Sequence, residues 1–154
     1  MFNKLIDQKE QVMARYTFKV YLAGQGRNIY RTIEISGKDT LDRLCEFIIA
    51  SFDFIHEHLY EFCMDNRMYS DDSYQYDPED GGPSTDIAID KIRLVKGQNF
   101  SLHYDYGDDW MFTIHVQKIE DESHRSDPKL IKSVGILEQY RDWDEWDEDD
   151  EEEV

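Results

Sequence analysis

From Tyr16 to Leu22 the chain alternates: Tyr16, Phe18, Val20 and Leu22 fall on one side and Thr17, Lys19 and Tyr21 on the other, the period of a half-buried strand. Gly24-Gln25-Gly26 permits a tight return. Ile29, Arg31, Ile33 and Ile35 then alternate with Tyr30, Thr32 and Glu34, so a second strand is expected to pair with the first as a hairpin. Arg31 lies on the apolar side, where an unpaired charge is costly. The favoured expectation is an ion pair with Asp105 or Asp109; the alternative is a cleft in which Arg31 and neighbouring tyrosines receive an anionic ligand. Ser36 to Thr40 supplies turn and N-cap side chains. Leu41, Leu44, Cys45, Ile48, Ile49 and Phe52 follow at helical spacing, with Asp42, Arg43 and Glu46 facing water.

His58 to Met64 alternates again and predicts a third strand. Met68 to Asp90 has seven carboxylates, three tyrosines and Gly81-Gly82-Pro83 without a lysine or arginine, which reads as a long loop. Within it Asp86 can cap a short turn carrying Ile87, Ile89 and Ile92. Gln98–Tyr106 and Trp110–Ile119 read as a second hairpin closed around Gly107-Asp108-Asp109, and 129–134 can add an edge strand. The pattern predicts an α+β fold, a mostly antiparallel sheet of about five strands with one main helix packed on it in a roll-like arrangement.

Composition divides the chain rather than describing it as a whole. The 154 residues include 35 acidic and 17 basic side chains, a net charge of −18. Ten of the carboxylates lie between Asp142 and Val154, so residues 1–141 keep 25 acids against 17 bases, a net of −8. The expected organisation is a lead segment 1–13, a domain 14–137 and an acidic, disordered tail 138–154. A net anion is repelled by phosphate, which argues against direct nucleic-acid binding and against anionic membrane surfaces. Cys45 and Cys63 sit among apolar neighbours with no CxxC spacing, and no apolar run approaches a membrane span, so a cytoplasmic setting is expected.

The densest chemistry is Tyr104-Asp105-Tyr106-Gly107-Asp108-Asp109-Trp110. Asp105, Asp108 and Asp109 could ligate a hard cation, yet aspartates and a glycine are also what a hairpin turn requires. Together with Tyr16–Val20, Ile29–Ile33 and His58–Phe62, this block resembles the plasmid pRiA ORF-three-like family over roughly residues 14 to 120. The resemblance implies a small α+β domain, often bacterial or archaeal and sometimes a mobile-element passenger, with no assigned biochemical role. It also implies histidines at places that here hold Cys45, Tyr60 and Phe112. Only His58 remains, which argues against a shared metal–histidine centre. No cofactor is implied.

The tail adds aromatics to charge. Tyr140, Trp143 and Trp146 recur every three residues among carboxylates, a composition suited to docking on a protein partner. The sequence therefore favours a non-catalytic binding or adaptor domain, monomeric or a weak dimer. Its candidate surface is Tyr30, Arg31, His58, Tyr104, Asp105, Gly107, Asp108, Asp109 and Trp110. The alternatives are a divalent-metal-dependent hydrolase or nuclease built on Asp105, Asp108 and Asp109, or an acidic mimic of DNA.

Overall fold

The computed structural model describes residues 13–140. Seven strands form one sheet in the order β4-β3-β5-β6-β1-β2-β7. In chain order these are β1 (Met13–Leu22), β2 (Tyr30–Ser36), β3 (Tyr60–Cys63), β4 (Ser73–Gln75), β5 (Asn99–Tyr104), β6 (Trp110–Glu122) and β7 (Lys129–Val134), with one α-helix among the described residues, α1 (Leu41–Ser51), between β2 and β3. Every neighbouring pair of strands is antiparallel.

The expectation of about five strands is thus corrected to seven. β4 lies inside the acidic segment read as loop, and its three residues, Ser73, Tyr74 and Gln75, are too few and too polar to show alternation. It is held by pairing with β3, Phe62 opposite Tyr74. β7 is the edge strand allowed at 129–134; it pairs with β2 and is almost wholly exposed.

One face of the sheet carries the core. Phe18, Val20, Ile33, Ile35, Phe62, Phe100, Leu102, Phe112 and Ile114 are fully buried with Leu41, Leu44, Cys45, Ile48 and Ile49 of α1. Burying each such side chain contributes about 1.5–3 kcal/mol over leaving it in water. The helix starts where the cap chemistry predicts: Thr40 is extended and its hydroxyl accepts from the Arg43 amide at 3.1 Å. It stops at Phe52, after which Asp53 turns left-handed.

Arg31 ends that helix. Its Nε donates to the Ser51 carbonyl at 2.7 Å, Nη1 donates to the carbonyls of Tyr30 and Val134, and the guanidinium lies 4.2 Å from the Phe52 ring centroid. The expected ion pair with Asp105 or Asp109 is therefore replaced by contacts to backbone carbonyls. A planar five-donor cation suits this place, because the last carbonyls of a helix lack amide partners and carry partial negative charge. Burial lowers the Arg31 pKa, and the nearby Asp53 opposes that shift.

Candidate functional site

The sheet places the entrance of β3 beside the β5–β6 turn, because Tyr60 pairs with Tyr104 and Tyr104 with Trp110. The buried Tyr104 hydroxyl organises the segment before β3. It donates to the Ile55 carbonyl at 2.9 Å and accepts from the amides of Glu57 and His58 at 2.8 and 3.2 Å. Burial raises the phenol's pKa, and those two amides partly oppose the rise. One side chain thereby fixes residues 55–58, which no regular ladder holds.

That segment forms one wall of a cleft of about 410 Å³, lined by Asp42, Glu46, His56, Glu57, His58, Leu59, Tyr60 and Tyr76. Asp42 and Glu46 are one helical turn apart on α1 and so face the same way. Tyr60 and Tyr76 stack with centroids 5.0 Å apart at 14°. The Tyr60 hydroxyl donates to Asp42 Oδ1 at 2.6 Å, an oxygen that also receives the Thr85 hydroxyl. Burial and the Asp42 hydrogen bond both raise the Tyr60 phenol's pKa, so it stays neutral. The lining holds three carboxylates and no lysine or arginine.

The rim of the cleft is tied to the end of the described chain. Gln139 Oε1 accepts from the Ile55 amide at 2.6 Å and its Nε2 donates to the Ile55 carbonyl at 3.0 Å. The Tyr140 hydroxyl donates to Glu57 Oε1 at 2.7 Å and accepts from His58 Nε2 at 2.8 Å. Its bond to Glu57, with burial second, pushes its pKa up to about 12. Asp105 Oδ2 lies 3.5 Å from the same imidazole nitrogen.

The turn itself is self-contained. Asp105 Oδ1 accepts from the amides of Gly107 and Asp108 at 3.0 and 3.3 Å, and the Asp109 amide donates to the Asp105 carbonyl. Asp105 and Asp109 both take positive φ, 68° and 53°, which aspartate tolerates. Asp109 Oδ1 points instead to His103. The three aspartates do not converge, and among the described residues no three His, Cys, Asp or Glu side chains are grouped to hold a metal ion. Trp110 packs edge-on against Phe54 at 4.9 Å rather than lining a surface.

On the opposite face of the sheet lies a group that the sequence reading missed. His103 is fully buried between two carboxylates, with Nδ1 2.7 Å from Glu61 Oε2 and Nε2 2.6 Å from Asp109 Oδ1. Both imidazole nitrogens thus face carboxylate oxygens. Tyr69 and Tyr106 close over it with centroids 5.0 Å from the imidazole, and the Tyr69 amide donates to Glu61 Oε2 at 2.8 Å. Tyr69 does this at φ 57°, a strained angle for a bulky residue. With both ring nitrogens engaged, the trio braces segment 65–72 against the turn. Its signal was partial: Glu61 interrupts the otherwise apolar β3, whereas His103 follows Asn99 and Ser101 on the polar alternation of β5.

The predicted surface thus divides. His58, Tyr104, Asp105, Gly107 and Asp108 gather at the cleft end of the sheet, Asp109 turns to His103 and Trp110 to the core. Tyr30 and Arg31 lie across the sheet on β2. The sequence reading placed Asp42 and Glu46 on a solvated helix face and Tyr76 in a loop; their meeting in one cleft depends on tertiary packing. Trp143 and Trp146 lie outside the described residues.

An antiparallel sheet covered on one face by a single helix, with a Tyr-Asp-aromatic-Gly-Asp-acid-Trp turn at its end, defines a small α+β class. The chain belongs to the plasmid pRiA4b ORF-3-like protein family, whose model matches residues 14–151. A similar solved structure is a protein of unknown function, MM3350, from Methanosarcina mazei Go1. It is 24% identical, with a TM-score of 0.65 and coverage of 79% of this chain and 70% of that one, a likeness of fold. No curated protein matches the chain. No described helix is long and apolar enough to cross a membrane.

Proposed function

We propose that the protein is a non-catalytic binding domain whose cleft beside β3 receives a cationic side chain from a partner. The observation that carries this reading is the lining of Asp42, Glu46 and Glu57 around the stacked Tyr60–Tyr76 pair, with no lysine or arginine in the lining. A guanidinium or ammonium entering the cleft gains carboxylate partners and an aromatic face, and both attractions strengthen as water leaves. The neutral phenol of Tyr60 adds no competing negative charge beside Asp42. The fixed 55–58 segment keeps the cleft formed before a ligand arrives, which limits the ordering cost of binding.

Titrating an arginine-rich peptide into isotope-labelled protein tests this. Amide shifts at residues 56–60 and at Tyr76, suppressed by salt and absent with a glutamate-rich peptide of equal length, are expected. Shifts scattered over all acidic residues would reject a defined cleft in favour of diffuse charge attraction.

A further inference from the structure

The helix covers one face of the sheet only, and the residues alternate to the core leave the other face partly open between β5 and β7. Tyr21, Lys19, Tyr30, Thr32 and Thr113 are half-buried there. Next to the braced segment 65–72 this face holds a groove of about 530 Å³, whose lining includes Tyr21, Gly24, Met68, Asn99, Met111 and Thr113. Strand register continues it into a basic row. Tyr21 is opposite Tyr30, Lys19 opposite Thr32 and Thr32 opposite Lys132. Lys19 Nζ lies 4.5 Å and Lys132 Nζ 5.5 Å from the Tyr30 ring centroid. Among the described residues neither lysine pairs with a carboxylate, although Arg15, Lys118 and Arg125 all do.

We propose that the acidic-aromatic segment 141–154 docks on this open face, with carboxylates on Lys19 and Lys132 and an indole in the groove floored by Tyr21, Met68 and Met111. Charge complementarity selects the occupant. Residues 142–154 carry ten carboxylates without a base, whereas residues 1–12 carry two acids and two bases, so only the former matches a lysine pair free of acidic partners. Length permits it. Tyr140 is tethered at the entrance of β3, and four strand spacings separate β3 from β2, about 19 Å. Fourteen extended residues span about 46 Å. Chemistry also fits, because methionines and tyrosine make favourable contacts with an indole. The inference is independent of the cleft reading, since the two surfaces lie on opposite faces.

Amide spectra of the full chain and of the full chain carrying W143A/W146A test the proposal at two protein concentrations a decade apart. Those substitutions lie outside the described residues. Shifts at Lys19, Tyr21, Tyr30, Met111 and Lys132, equal at both concentrations and lost in full-length K19E/K132E, are expected. Four results would overturn the proposal: an unchanged open face; shifts that grow with concentration, which assign the face to a second copy; shifts at residues 56–60 instead; or open-face shifts produced by removing residues 1–12 and not by the tryptophan changes.

Discussion

His103 Nδ1 lies 2.7 Å from Glu61 Oε2 with both side chains fully buried, and the two residues are direct cross-strand partners on β5 and β3. Removing one member leaves a buried polar group without its hydrogen-bond partner, which costs about 1–3 kcal/mol. Glu61→Ala and His103→Ala are each expected to lose that much in urea unfolding. Asp109→Asn, at a half-exposed carboxylate, should lose less. A loss below about 1 kcal/mol for Glu61→Ala would show that the trio does not brace the segment above it.

Arg31 gives a second prediction, aimed at the corrected ion pair. Arg31→Ala strands the Ser51 and Val134 carbonyls and opens space at Phe52, with an expected cost of about 2–4 kcal/mol. Because its partners are carbonyls, the effect should add to that of Asp105→Asn or Asp109→Asn within about 0.5 kcal/mol in a double-mutant cycle. A larger coupling energy would restore a link to those carboxylates.

These two cases mark how far the sequence could be read. Alternation at Tyr16–Leu22 and Ile29–Ile35, the Thr40 cap and the α1 stripe were legible because each reports a local period or a local hydrogen bond. β4 was not, since three polar residues carry no period and their pairing comes from β3. Arg31 was correctly placed on the buried face, but its partners are the end of α1 and β7, set by tertiary packing and not by complementary charge in sequence. The cleft was hidden for the same reason: Asp42, Glu46, Glu57 and Tyr76 come from three separate segments.

Gly37 illustrates a constraint with a sharp test. A Cβ there would come within 1.8 Å of Asp90 Oδ1, the oxygen that accepts the Tyr16 hydroxyl at 2.9 Å. Gly37→Ala is expected to cost about 1–3 kcal/mol by overpacking. Shortening the acid, as Asp90→Ala, should recover part of that loss in the double variant. Wild-type stability of Gly37→Ala would mean that the contact relaxes freely.

Alkali should destabilise the protein through its buried thiols. Burial, with the Glu61 and Asp65 charges behind it, pushes the Cys63 thiol up to about 12, and burial raises Cys45 as well. A raised pKa means that the folded chain keeps a proton the unfolded chain releases. Stability is therefore full below the unfolded thiol value, about 8.5, and falls as pH rises from there toward 12. Urea midpoints measured from pH 8 to pH 11 should decline, and Cys63→Ala should flatten the decline. An identical slope in that variant would remove Cys63 from the account.

The cleft remains the centre of the account, and calorimetric titration of one arginine-rich peptide into three proteins tests it most directly. Wild type, Glu57→Gln/Tyr76→Ala and the exposed-turn control Asp108→Asn are compared at one ionic strength. Loss of one carboxylate and one aromatic face should weaken binding at least about tenfold, the sum of two contacts each near 1 kcal/mol. Asp108→Asn should change affinity less than about twofold, as expected of an exposed charge outside the cleft. Equal weakening by the control, or unchanged binding by the double variant, would contradict a cation-binding cleft.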